Sequence, residues 1–388
     1  MVLTGLDRIE KVWPKGLEGS NIGLLVHPAS VNKKFEHSTN IFHKSKKIRL
    51  KSLFGPQHGI RGETQDNMVE WEGFRDNKTG LPVYSLYGHT RKPEATMLKD
   101  IDVLVIDLQD IGSRYYTFIW TMELCMQACL EHNKTVVILD RPNPLGGIHT
   151  EGTVLDMSYA SFVGQRPLPV RHGMTVGEIT TYFKEKFYPS LDLHIIKMQG
   201  WERKMWFDET GLPWVMPSPN MPTLDTAIVY PGMCLLEGTN LSEGRGTTRP
   251  FEIFGAPFIN PDELVEKIND FKLAGVFFRQ MYFQPTFQKH AGKLCGGAQI
   301  HVTNRNKFKP FKTGVAILKA IYELYPESFR WKEPPYEYEI LKMPIDILTG
   351  TDRLRKDIGK GESLKNMEEW WIEESKSFEK IRKRYLIY

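Results

Sequence analysis

Four loops and one glycine-rich segment of this chain concentrate the side chains that move protons and grip polar groups. The loops carry His27 and Pro28; Gln57, His58 and Arg61 in PQHGIR; Asp107, Gln109, Asp110, Arg114, Tyr115 and Tyr116 in DLQDIGSRYY; and Arg141 and Asn143 in DRPNP. Carboxylates and imidazoles do general acid–base work, whereas guanidinium and amide groups hold anions and hydroxyls. Asp and Asn in such places also cap helices. The glycine-rich segment, LEGTNLSEGRGTTRPF at residues 236–251, holds Glu237, Asn240, Glu243 and Arg245. It either reaches a cleft with two carboxylates, or Glu237 pairs with Arg245 or Arg249 and only pins the loop. Arg171 and His172, just before a helical stretch, are open to the same two readings. Asp107, Asp110 and His58 are of types that ligate magnesium. The eleven histidines form no HxxxH or HExxH pair, and no metal is expected.

The elements that must position these loops follow from the apolar pattern. Residues 21–27 (NIGLLVH), 49–55 (RLKSLFG), 101–108 (IDVLVIDL) and 135–140 (TVVILD) are nearly continuous in apolar residues, as buried parallel strands are. Phe118, Met122, Cys125 and Cys129 recur at helical spacing between the last two strands, which makes a βαβ unit. A helix over 175–186 and a strand over 193–198 extend the pattern. Each polar loop follows a strand end, and ligands of open parallel sheets bind outside those ends. The four prolines of 213–222 (PWVMPSPNMP) preclude regular structure and mark a boundary. Residues 1–220 are thus expected to form an α/β domain with a mostly parallel sheet. Residues 221–388 are expected to form a smaller α+β domain, with helices over 261–271 and 314–325 and strands over 275–283 and 298–303. An amphipathic helix over 364–385, carrying Trp370, Trp371 and Phe378, would dock on the body or serve as a homodimer contact.

Composition narrows the function. The 388 residues carry Lys+Arg 51 and Asp+Glu 47, a net charge of +4 without a basic stripe, which disfavours nucleic acid as a partner. Hydrophobic content of 41% suits a folded core, and four cysteines with no CxxC pair exclude a disulfide scaffold and a structural zinc site. No GxGxxG or GxxxxGK[ST] loop occurs, so no nucleotide cofactor is expected. Charged residues interrupt the start of the chain and no run of 18 apolar residues exists. No signal peptide, membrane span or membrane partner is expected, and the cytoplasm is the expected location unless a leader has been trimmed.

Nine motifs stand in order along the chain: FGPQHGIRG (54–62), SLYG (85–88), DLQDIGSRYYT (107–117), LDRPNP (139–144), SFVG (161–164), RHGMTVGE (171–178), PSPNMP (217–222), EGTNLSEGRGT (237–247) and PTF (285–287). Together they resemble the exo-β-N-acetylmuramidase family of bacterial peptidoglycan recycling, from about residue 21 to about residue 353. The resemblance implies a Rossmann-like amino-terminal domain, a smaller carboxyl-terminal domain and an active site in the cleft between them. It implies release of N-acetylmuramic acid from the non-reducing end of a muramic-acid-containing glycan, without metal or nucleotide. Much of that family has Glu where this chain has Gln57, and that Glu is the usual catalytic candidate. Relatives with the Glu often have an apolar residue in place of Glu243, and many have Tyr in place of His172.

Glu243 is therefore the expected general acid, kept protonated by Leu241 and Phe251. Asp110 or His172 would orient the substrate's acetamido group, or Asp110 would act as base. Gln57 marks the vacated acid position. Arg61, Arg114 or Arg245 would clamp the lactyl carboxylate, and Tyr115 or Tyr116 would stack on the sugar. His58, Asp107, Asn143, Glu237 and Asn240 complete the expected binding set. Two rival expectations stand beside this one. A non-catalytic muropeptide or sugar binder fits the missing Glu at position 57. A hydrolase of a different amino-sugar glycoside, or one assisted by a metal on Asp107, Asp110 and His58, is the other.

Overall fold

The computed structural model describes residues 1–66 and 68–388. Its strands are β1 (Asn21–Val26), β2 (Arg49–Gly55), β3 (Phe74–Arg75), β4 (Pro82–Ser85), β5 (Val103–Asp107), β6 (Thr135–Leu139), β7 (Glu151–Val154), β8 (Pro169–Arg171), β9 (Leu193–Ile196), β10 (Ile253–Ala256), β11 (Val276–Phe283) and β12 (Cys295–Val302). Seven strands form one sheet in the order β3-β4-β2-β1-β5-β6-β9. All neighbours run parallel except β3, which lies antiparallel to β4. The central order β2-β1-β5-β6-β9 is that of a doubly wound sheet whose strand order reverses at β1 and β5. These strands were foreseen within a few residues: β1, β5 and β6 are almost wholly buried and hence nearly all apolar, while β2 is buried only over its second half and β9 only at its end. The strands β3 and β4 at one end of the sheet and the two-stranded β7–β8 sheet were not foreseen. They are two to four residues long and carry too few side chains to show a period.

The second half contains the antiparallel sheet β10-β12-β11. β12 begins three residues before the expected 298, because Gly296 and Gly297 let its backbone meet Gly255 of β10 at a distance no Cβ would permit. The helix Leu224–Met233 crosses the helix Pro310–Leu324 at Gly232 and Gly314, where a Cβ on either would collide with the other backbone. That close crossing sets the angle of the following turn, Cys234–Gly238, which carries Glu237. Residues 213–222 hold neither helix nor strand, as four prolines require.

One apolar core runs through both halves. It joins Leu25, Phe118 and Ile138 beneath the large sheet to Tyr230, Leu236, Phe254 and Trp371. A second cluster, with Leu24, Val105 and Val137, fills the other face of the sheet. The helix Leu364–Arg382 docks on β7, with the Trp371 ring edge-on to Phe311 at 5.1 Å. Burying a side chain of this kind stabilises by about 2–3 kcal/mol. Its last residue, Arg382, donates to the carbonyls of Gly147, Gly173 and Ile148 and so fastens the end of the chain to the first half. Among the described residues no helix is long and apolar enough to cross a membrane.

Candidate active site

A small cavity opens where the loops after β2 and β5 meet three segments of the second half. Gln57, His58, Tyr116 and Thr117 form one wall, Ser218 and Asn220 the floor, and Glu237, Arg245, Tyr336 and Glu337 the other wall. Its volume is about 40 Å³, room for a few waters and not for a sugar ring. Residues 336–339 form a strap across it. Glu337 and Tyr338 both take left-handed backbone angles, φ 44° and 69°, which is costly for non-glycine residues and turns the Glu337 side chain inward.

Glu337 is buried and accepts hydrogen bonds from the Tyr87 hydroxyl at 2.8 Å and from Gln57 Nε2 at 3.3 Å. The Gln57 amide is oriented by Thr117, whose hydroxyl donates to Oε1 at 2.8 Å. Burial pushes the Glu337 carboxyl up to about 7. The negative charge of Glu237 adds to this, while Tyr87, Gln57 and Arg245 oppose it. Glu237 accepts from Arg245 at 2.6 Å and from the Tyr336 hydroxyl at 2.7 Å. One wall thus holds two glutamates in opposed settings: one next to uncharged donors, one paired with a guanidinium.

His58, at φ 67°, donates from Nδ1 to the Thr64 carbonyl at 2.6 Å. Burial lowers its pKa to about 4 despite that bond, so it is neutral and offers Nε2 as an acceptor.

The family model for the amino-terminal part of exo-beta-N-acetylmuramidase NamZ matches residues 22–225, and that for its carboxyl-terminal part matches residues 228–388. The chain belongs to the NamZ family. The peptidoglycan beta-N-acetylmuramidase NamZ of Bacillus subtilis (strain 168) is 47% identical over 387 residues, covering 100% of this chain and 91% of that protein. A DUF1343 family protein of Bacteroides fragilis NCTC 9343 superposes with a TM-score of 0.90 at 34% identity, covering 100% of this chain and 99% of that one. A second DUF1343 protein of the same strain gives 0.78 at 28% identity, with the same coverage. As a NamZ family member with an α/β fold, the chain is a glycosidase.

Several residues expected at the site are held elsewhere. Glu243 does not line the cavity. It lies behind Arg245, with Oε1 3.1 Å from that guanidinium and Oε2 3.0 Å from Lys289 Nζ. Burial would raise its pKa, but Lys289 and Arg245 outweigh burial and hold it at about 2. The expectation of a protonated Glu243 is corrected: two cations are its neighbours, and Phe251 packs on Arg245 (4.8 Å), not on the carboxyl. Arg114 is fully buried and donates from its two terminal nitrogens to the carbonyls of Thr153, Leu168 and Leu348. Asp107 is paired with Arg141 at 2.6 Å and accepts from Ser38, and neither Arg114 nor Asp107 lines the cavity. Asn143 accepts from the Leu145 N–H and donates to the Met174 carbonyl in the loop after β8. Asn240 pins residues 328–330, and Arg61 lies half-exposed against Phe74 and Asp76.

His172 and Asp110 meet at 3.2 Å in the interior. The Met174 N–H donates to His172 Nδ1, which puts the ring proton on Nε2, facing Asp110. The pair does not line the cavity, and the Asp110 charge acts on Tyr116, which does. The structure therefore brings together Gln57, His58, Tyr115, Tyr116, Glu237 and Arg245 from the expected set. Glu337, Tyr87, Tyr336 and Lys289 were not anticipated. Their signal was faint: PPYEYE places an acid between two tyrosines in a stretch too proline-rich for helix or strand.

Proposed function

We propose that this chain is an exo-β-N-acetylmuramidase that releases N-acetylmuramic acid from the non-reducing end of peptidoglycan fragments, with Glu337 as proton donor. The observation that carries the reading is the cavity wall on which Glu337, raised to about 7, stands beside the Glu237–Arg245 ion pair. Glu337 gives its proton to the glycosidic oxygen as the bond to the anomeric carbon breaks. The Glu237 carboxylate faces the positive charge that develops on the sugar; water then adds to the anomeric carbon and gives its proton to the Glu337 carboxylate, restoring the acid. Gln57, which has no proton to give, supports this by orienting the Glu337 carboxyl. The acid function that much of the family has at position 57 is thus supplied from the adjacent position in space. A neutral His58 offers an acceptor for a sugar hydroxyl.

The test is hydrolysis of a chromogenic β-N-acetylmuramide and of a muramic-acid-ended disaccharide. Wild-type protein is expected to release N-acetylmuramic acid. Glu337→Gln is expected to lose about 10²- to 10⁴-fold in kcat/KM, the usual worth of a positioned acid. Unchanged turnover in that variant would remove Glu337 from the mechanism.

A further inference from the structure

We propose that the ammonium of Lys332, standing without an oxygen partner beside the Glu237–Tyr336–Glu337 wall, reads the lactyl carboxylate of the sugar and sets the preference for muramic-acid substrates. The inference rests on the muramidase reading. N-acetylmuramic acid differs from N-acetylglucosamine only by that lactyl ether, so an enzyme selective for it requires a cation free to meet a carboxylate near the sugar.

The three arginines that chemistry first suggests are committed elsewhere. Arg114 is fully buried with both terminal nitrogens on carbonyls, Arg61 is turned to the Phe74 ring and Asp76, and Arg245 is held by Glu237 and Glu243. Lys289 is also filled, with the carbonyls of Leu236 and Leu241 at 2.8 and 2.9 Å and Glu243 at 3.0 Å.

Lys332 differs from all of these. Its backbone N–H donates to the Gly238 carbonyl at 2.9 Å, and its neighbour Trp331 bridges Thr239, so its Cα is fixed to the end of the turn that carries Glu237. Its side chain is half-buried and lies over the Tyr336 ring, with Nζ 5.4 Å from the centroid. Among the described residues no hydrogen bond or ion pair reaches that Nζ, although an ammonium has three donors. Burial and then the charge of Lys289 work against its ammonium form, while Glu237, Glu243 and Glu337 favour it. An incoming carboxylate adds the missing counter-charge and takes the vacant donors. The plainer alternative is that Lys332 only offsets the buried glutamates, in which case it affects charged and uncharged substrates alike.

The experiment compares kcat/KM on two substrates, para-nitrophenyl N-acetyl-β-muramide and its lactyl methyl ester, which keeps the shape and removes the charge. Wild-type protein is expected to favour the acid over the ester by about 10- to 100-fold, the worth of a charge-assisted contact. In Lys332→Met that ratio is expected to fall to near one, and in Lys332→Arg to be largely retained. A ratio in Lys332→Met equal to that of the wild type overturns the inference and leaves the muramidase reading standing. Equal loss on both substrates also overturns it and assigns Lys332 the counter-ion role. Absence of turnover on both by the wild type removes the muramidase reading and this inference together. Should Lys332→Met not fold, Lys332→Gln provides the same ratio.

Discussion

Two glutamates of one cluster are pushed in opposite directions by what stands next to them. Glu243 has an arginine and a lysine and is an ion; Glu337 has a phenol and an amide and is an acid. Both carry stability consequences of opposite sign. An unfolded Glu titrates near 4.5, and folded Glu337 near 7. Between those values the folded state binds the extra proton, so stability is greatest below 4.5 and falls as pH rises through 7, by roughly 3 kcal/mol for the full shift. Glu337→Gln is therefore expected to raise Tm near pH 8 relative to the wild type and to change it little near pH 5. A thermal melt at the two pH values checks this, and an unaltered Tm near pH 8 contradicts a buried acid at that position. The same proton should appear in catalysis as a fall in kcat/KM above pH 7. Glu243, folded near 2, contributes above 4.5 and loses its contribution as pH falls toward 2. Glu243→Gln strips a 2% exposed ion pair and is expected to cost about 3 kcal/mol in denaturant unfolding while leaving the limb near pH 7 in place.

The strap 336–339 closes a cavity of about 40 Å³, while sites for small ligands usually run to about 300–1,000 Å³, so it must lift for a sugar to enter. It is held down by contacts to the first half of the chain. The Glu337 N–H approaches Met68 Sδ at 3.4 Å, and the Tyr338 hydroxyl donates to Glu70 at 3.1 Å with Arg91 stacked on its ring. Because Glu337 rides on the strap, closure and protonation of the acid are one event: burial is what raises its pKa. Tyr338→Ala weakens the hold and exposes the carboxyl more of the time. Its basic limb in a pH–rate profile is expected to move from near 7 toward 4.5, with kcat reduced several-fold. A limb that stays near 7 would show that strap and acid are independent.

Both halves share one apolar core, and the last helix returns to β7 in the first half. Trp371 and Arg382 make that return an internal contact, not a surface one. A single cooperative thermal transition is expected, with calorimetric and van't Hoff enthalpies equal. Two resolved transitions would show that the halves unfold separately. Removing residues 364–388 is expected to yield insoluble protein, because the truncation uncovers the core beneath Met367, Trp371 and Phe378.

The central parallel strands, the helix after β5 and the docked last helix were legible in the residues alone, since burial imposes apolar runs and helical spacing on local sequence. The family was legible for the same reason: its motifs are local strings. The loops after the strands were correctly seen as polar, yet polarity is equally the mark of an internal clamp. Arg114, Asp107 and Asn143 satisfy buried backbone and charge within the fold, while Gln57 and His58 line a cavity, and nothing in their spacing separates the two cases. The choice between Glu243 and Glu337 was beyond reach for a deeper reason. A carboxyl's proton affinity depends on charges and dehydration within a few ångströms. Tyr87, Gln57, Lys289 and Arg245 come to those distances only when segments up to 280 residues apart are folded together.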